Sequence, residues 1–285
     1  MTASHTASPA GPSPDGEEAA PRDARGGSGL IAAFFDIDNT LVRGASAFHL
    51  ARALRRRGLL RARTIAAYAL RHAKYQWRGE RAKDLARFTG EGGVGVVSGI
   101  SVAEVVAVGE ELYDEVLAHR IFPATKQLLD QHRAAGHEVW LVSASPVEIG
   151  SLIASRFGAT GALGTIPERE DGFYTGRLVG GLLHGPAKAD AIGVLATDRG
   201  IALNASFAYG DSISDVPLLS AVGNPCGINP DRKLRRYCAE LGWPTRDFRG
   251  RRRAVRRSLN AAWRLGATWA LFHVLRSLLR RHRRP

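Results

Sequence analysis

Ala32-Ala33-Phe34-Phe35-Asp36-Ile37-Asp38-Asn39-Thr40-Leu41 is an apolar run that ends in two carboxylates, an amide and a hydroxyl. A short apolar run bounded by turn-forming residues suits a strand covered on both faces, as in a parallel sheet flanked by helices. Ligands of such sheets sit beyond the carboxyl ends of the strands, so Asp36 and Asp38 are predicted to emerge at a binding crevice. Two residues apart, they share a face if the strand stays regular. Acids this close repel unless a cation joins them or one keeps a proton. That points to a hard cation such as Mg²⁺, which takes one or two carboxylates plus waters and phosphate oxygens. The competing reading of this stretch alone is a solvated turn, where Asp and Asn are ordinary residues.

Downstream, residues 45–122 carry a helical pattern. Ala47-Phe48-His49-Leu50-Ala51-Arg52-Ala53-Leu54, Thr64-Ile65-Ala66-Ala67-Tyr68-Ala69-Leu70 and residues 102–116 place apolar side chains at spacings of three and four, with no convincing strand between them. An insertion directly after the first strand is expected to lie over the crevice as a cap. Arg55-Arg56-Arg57 could meet an anionic substrate, but a solvated helix face is the favoured reading. The α/β pattern resumes at Pro123. Residues 124–135 read as a helix closed by Gly136, and 137–142 as a strand ending in Ser143-Ala144-Ser145-Pro146. Residues 147–157 read as a helix and Asp171-Gly172-Phe173-Tyr174-Thr175-Gly176 as a short hairpin. Lys188 opens a helix running to Arg199, and Phe207-Ala208-Tyr209-Gly210 is a strand delivering Asp211-Ser212-Ile213-Ser214-Asp215. Four separate segments thus bring polar groups to one edge.

In this order, Asp36-Ile37-Asp38-Asn39-Thr40, Ser143, Lys188 and Gly210-Asp211-Ser212-Ile213-Ser214-Asp215 resemble the four motifs of the haloacid dehalogenase superfamily of phosphohydrolases. The helical insertion, the hairpin and the Val142-Ser143-Ala144-Ser145 turn are similar to its phosphoserine phosphatase-like branch. The resemblance covers residues 30 to about 230. It implies an α/β fold, a Rossmann-like doubly wound parallel sheet with an inserted helical cap, and Mg²⁺-dependent hydrolysis of a small phosphorylated substrate. Asp36 is then the nucleophile that forms an aspartyl-phosphate. Asp38 is the acid for the leaving oxygen and then the base for water, and its carbonyl helps hold Mg²⁺. Thr40 supports the turn and the phosphate site, Ser143 and the Ala144 amide donate to phosphoryl oxygens, and Lys188 neutralises charge on nucleophile and phosphate. Asp36, Asp38, Asp211 and Asp215 make up the metal site. Taken singly, Ser143 could merely end a strand, Lys188 lie on a helix surface and Asp215 cap a helix; the ordered set favours catalysis. Two departures matter. Ala45 stands where phosphoserine phosphatases carry the glutamate that reads the substrate's amino group, and Ser214 where they usually carry asparagine. Phosphoserine phosphatase proper stays an alternative, as does a non-enzymatic regulatory or tethering protein.

At 285 residues, 45% hydrophobic and 24% charged, the chain is globular, with room for a core and a smaller domain. The expected organisation is a disordered segment at 1–29, a catalytic core at 30–44 and 123–245, a cap at 45–122 and a basic tail at 246–285. The first segment lacks a secretory pattern, which with two cysteines suggests a cytoplasmic protein. The tail holds thirteen arginines against Asp247, nearly all of the net charge of +13. Its uncharged centre, 265–275, is too short to span a bilayer, and Trp263 and Trp269 between arginines suit a headgroup region, at the inner face of the membrane. Nucleic acid is the less favoured partner, and packing on the enzyme's own core stays open. With about 1 kcal/mol from each basic side chain near an anionic leaflet, the full chain is expected to float with anionic vesicles and a chain lacking the tail to stay behind; equal flotation would reject the membrane assignment.

Overall fold

A computed structural model describes residues 29–60 and 97–249. The expectations for residues 1–28, for the helical pattern at 64–70 and for the tail from 250 onward lie outside these residues.

The opening stretch forms β1 (Ala32–Asp36), every residue of it buried. It is the centre of a seven-stranded sheet completed by β2 (Glu138–Pro146), β3 (Gly161–Glu170), β4 (Phe173–Val179), β5 (Phe207–Gly210), β6 (Asn224–Ile228) and β7 (Thr245–Arg246). The order is β4-β3-β2-β1-β5-β6-β7, with all neighbours parallel except β3 and β4. Phe35 sits opposite Leu141 on one side and Tyr209 on the other. The chain steps outward from β1 through β2 and β3, then returns to place β5 on the other edge of β1. Strand order therefore reverses between β1 and β5, the position where an open α/β sheet leaves its crevice.

Because side chains alternate along a strand, β1 feeds two cores. Ala33, Phe35 and Ile37 pack with α3 (Pro123–Ala134) and α4 (Val147–Phe157), whereas Ala32 and Phe34 pack with α5 (Pro186–Arg199), α6 (Val216–Ser220) and α7 (Arg232–Leu241). The inserted segment supplies α1 (Ser46–Arg56), α2 (Val102–Leu112), a π-helical turn at Tyr113–Leu117 and a 3₁₀ turn at Ala118–Arg120. Leu50 and Leu54 from α1 and Val105, Val108 and Leu112 from α2 join the cluster that holds Phe35. The described part of the insertion is thus continuous with the core. Its return is fixed by backbone bonds, Arg43 N–H to the Arg120 carbonyl at 2.8 Å and Phe122 N–H to the Leu41 carbonyl at 2.9 Å.

The α4 helix spans the predicted 147–157, ended by Gly158 at φ 60°. The hairpin is larger than the sequence suggests, since β3 and β4 run 161–179 around Asp171 and Gly172, both at positive φ as a tight hairpin turn demands. Residues 246–249 belong with the core: Asn229 N–H donates to the Arg246 carbonyl, and Phe248 N–H to Asn229 Oδ1, both at 2.7 Å. Cys226 and Cys238 are buried free thiols. Among the described residues no helix is long and apolar enough to cross a membrane.

On the Phe35 face, His132 of α3 is fully buried. Its Nε2 bonds Tyr209 Oη at 2.7 Å and its Nδ1 bonds His137 Nδ1 at 2.9 Å. Burial, with His137 and Arg246 nearby, lowers its pKa to about 3. The imidazole is therefore neutral in the fold, while the unfolded chain takes up a proton below about pH 6.5. Between pH 6.5 and 3 the unfolded state binds more protons, so stability is lost as pH is lowered, by up to about 1.4 kcal/mol per unit from this group. Denaturant unfolding at pH 7.5 and 5.5 is expected to show that loss in the wild type and a smaller one in His132→Gln.

Candidate active site

The carboxyl ends of β1, β2 and β5 and the start of α5 converge, as their sequence positions suggest. Lys188 enters from the first turn of α5, where Pro186 begins the helix and positive-φ Gly185 turns the chain into it. Its ammonium donates to Asp36 Oδ1 at 2.6 Å and to Asp215 Oδ1 at 2.7 Å, with all three side chains nearly inaccessible. Asp215 is held from its other oxygen too: Oδ2 accepts from the backbone N–H groups of Asp211 and Ser212 at 3.2 Å and from Ser212 Oγ at 3.1 Å. This close return of the chain needs Gly210, because a Cβ there would lie 2.6 Å from Asp215 Cβ. Ser214, the departure noted in the sequence, shares a 2.6 Å hydrogen bond with Ser212.

Asp38 points elsewhere. Its Oδ1 accepts from the backbone N–H and the hydroxyl of Ser46, at 2.8 and 2.6 Å, at the opening of α1. Ser46 Oγ lies 2.7 Å from Ser145 Oγ; since the Ser46 proton is committed to a carboxylate, Ser145 is the donor of that bond. Ser145 N–H in turn donates to Ser143 Oγ at 3.1 Å, so Ser143 keeps its own proton for a ligand. Ala144, beside it, accepts Thr165 Oγ1 on its carbonyl. Thr40 is buried, with no partner for its hydroxyl among the described residues.

Electrostatics single out the acids. Burial raises the Asp36 carboxyl well above the ordinary carboxylate range; Lys188 pulls it down, and Asp215 and Asp38 push it up again. Burial, aided by Asp215, drives Asp211 to about 7, with Arg249, 3.5 Å from its Oδ2, opposing the rise. For Lys188, burial favours the neutral amine, but Asp36 and Asp215 outweigh it and hold the charged form. Asp36, Asp211 and Asp215 each offer an oxygen within 4.8 Å of the others. Three carboxylates against Lys188 and Arg249 remain one positive charge short. That donor set fits a hard divalent cation.

A model of the haloacid dehalogenase-like hydrolases matches residues 33–220. The chain belongs to this family. It is 46% identical over 247 residues to phosphoserine phosphatase SerB1 of Mycobacterium tuberculosis, covering 86% of this chain and 80% of that one. A crystal structure of a protein of unknown function from Bordetella pertussis Tohama I superposes with a TM-score of 0.67 at 30% identity, covering 77% of this chain and 99% of that one. An apo phosphoserine phosphatase shares the fold, with a TM-score of 0.51 at 18% identity over 73% of this chain and 90% of that one. The family membership makes the chain an enzyme, a phosphatase of the haloacid dehalogenase type.

The structure gathers Asp36, Lys188, Asp211 and Asp215 into one cluster and places Asp38, Ser143 and Ser145 on a second, linked set of hydrogen bonds. Ser46, Ser145 and Arg249 are the participants that the sequence reading passed over. Ser46 had a readable signal as a serine opening a helical pattern just after the acidic turn. Arg249 had none, because it reaches Asp211 from beyond β7. Lys188→Met leaves buried carboxylates without their ammonium, which typically costs about 3–5 kcal/mol; thermal and denaturant unfolding are expected to show that loss, and unchanged stability would contradict the bridge.

Proposed function

We propose that the chain is a Mg²⁺-dependent phosphomonoester hydrolase that acts on a small phosphorylated metabolite through a phosphorylated Asp36. The observation that carries this reading is Lys188 bridging Asp36 and Asp215 beside Asp211, with Asp38 separately fixed at the mouth of α1. Bound Mg²⁺ supplies positive charge to the phosphoryl oxygens, and Asp36, Asp211, Asp215 and the Asp38 carbonyl are the groups to hold it. Lys188 opposes the rise that burial imposes on the Asp36 carboxyl and orients it. An Asp36 oxygen forms a bond to phosphorus while the bond from phosphorus to the leaving oxygen breaks. Asp38 gives its proton to that oxygen, and the alcohol departs. Both hydrogen bonds from Ser46 fall on Oδ1, which leaves Oδ2 to carry the proton. As a carboxylate, Asp38 then takes a proton from water whose oxygen attacks phosphorus. The bond from phosphorus to Asp36 breaks, inorganic phosphate leaves, and both acids return to their starting states. Ser143 donates its free proton to a phosphoryl oxygen.

Phosphoserine phosphatase proper is the second reading, favoured by the name of the 46% identical relative. Against it stands Ala45, the residue that precedes α1, whose methyl offers no carboxylate to an ammonium. Phosphate release from p-nitrophenyl phosphate and phosphoserine decides the matter. Activity is expected to require Mg²⁺ and to fall to background in Asp36→Asn; activity that survives both would overturn the mechanism. Ser46→Ala removes one hydrogen bond to a charged group, typically about 1.5–3 kcal/mol. It is expected to lower kcat on the order of 10-fold or more with KM little changed.

A further inference from the structure

Beside the acids, α1 forms one wall of a second feature. A pocket of about 450 Å³ lies between α1 and the segment from α2 to Arg120. Its α1 wall is a stripe at helical spacing, His49, Arg52 and Arg56, with Arg57 beside it; the opposite wall contributes Glu111, Glu115 and Arg120. Four guanidinium groups thus face two carboxylates. One of each is already used, since Arg57 pairs with Glu111. Arg52, Arg56 and Arg120 form no ion pair among the described residues, although Arg120 is anchored through its carbonyl to the loop that follows Asp38. His49 has a lowered pKa, through burial first and then Arg120, with Asp38 acting in the opposite sense and Arg52 in the same one. The pocket is therefore cationic without the imidazole.

The same helix ties this pocket to the chemistry. Ser46 holds Asp38, and His49 follows it by one turn, against the Gly44 backbone. At 1.5 Å per residue, Arg52 lies about 9 Å and Arg56 about 15 Å along the axis from Ser46. A leaving group that Asp38 protonates would have to run along α1, past His49, to come to these guanidinium groups.

We propose that the α1 pocket receives a leaving group bearing its own anionic group, a second phosphate or a carboxylate, on a chain several atoms long, with Arg52, Arg56 and Arg120 as the residues that select it. This rests on the hydrolase reading above and names its substrate class. Phosphoserine is a poor fit on length, because its carboxylate sits too close to the ester oxygen to reach Arg52 or Arg56. Bidentate geometry makes arginine the suitable reader of either anion.

The test compares kcat/KM with Mg²⁺ for hexyl phosphate, hexane-1,6-diol bisphosphate and 6-(phosphonooxy)hexanoate, with p-nitrophenyl phosphate as reference. At least one anionic ester is expected to exceed hexyl phosphate by about 10-fold, the equivalent of 1.4 kcal/mol, and the two arms tell phosphate from carboxylate. In Arg52→Gln/Arg120→Gln that ratio is expected to fall toward one. Arg55→Gln, on the same helix but outside the pocket, separates recognition from general attraction and is expected to keep the ratio. Hydrolysis of p-nitrophenyl phosphate with no preference for either anionic ester, or a preference that Arg52→Gln/Arg120→Gln leaves intact, overturns the inference and leaves the hydrolase reading standing. Folded protein silent on every ester overturns both.

Discussion

The site depends on one buried ammonium. Lys188 stands between Asp36 and Asp215 where burial disfavours charge of either sign, and neither carboxylate is tolerable there without it. The local architecture serves this arrangement. Pro186 and Gly185 start α5 at the right point, Gly210 lets Asp215 close on the end of β5, and two backbone amides with Ser212 Oγ hold the second oxygen of Asp215. Asp215 is thereby fixed through both oxygens while remaining a member of the donor set for a cation. Asp36 and Asp211 are less well compensated, and their raised pKa values record that deficit. A site that is one positive charge short is suited to hold a divalent cation, whose surplus positive charge is then available to phosphoryl oxygens.

Asp38 shows a different solution for a second acid close by. It is partly exposed and turned toward the start of α1, where two donors from Ser46 meet one of its oxygens. Nucleophile and acid thus differ by environment, one buried against an ammonium and the other hydrogen-bonded at a helix start. The chain Ser145–Ser46–Asp38 also crosses from β2 to the inserted segment, so the position of the acid depends on how α1 sits on the core. The shared apolar cluster of Leu50, Leu54 and Phe35 keeps α1 in that seat.

Much of this was legible before the structure. The β1 run is apolar from Ala32 to Phe35 because both of its faces are covered, and its acids come at the end that opens on the crevice. Helix 147–157 was bounded in the sequence by Pro146 and Gly158, which act locally. The reading was weaker where long-range contacts decide. β3 lacks a clean alternation because it pairs with β2 through an irregularity and then with β4 in the opposite sense, so only the hairpin tip stood out. Strand β2 runs on through Ser143–Pro146, where small hydroxyl residues read as the strand's end. Arg249, counted with the basic tail, reaches Asp211 because the Phe248 backbone is fixed to Asn229. No local pattern encodes that.

Net charge misleads for a related reason. Most of the formal excess lies in the last forty residues, so the basic pI describes the tail. The arginines of α1 are few by comparison, yet two of them, with Arg57 just past its end, share a wall of one pocket with His49, and that helix begins on the residue that holds Asp38. Chemistry and selection are thereby divided along a single helix: its first turn fixes the acid, and the turns after it face the leaving group. A substitution at 52 or 56 can change which ester is preferred while the Ser46 contacts stay intact, whereas any change that tilts α1 moves both together. Divergence of substrate within a conserved reaction is physically easiest at such positions, because they touch neither the nucleophile nor the ammonium on which the buried cluster depends.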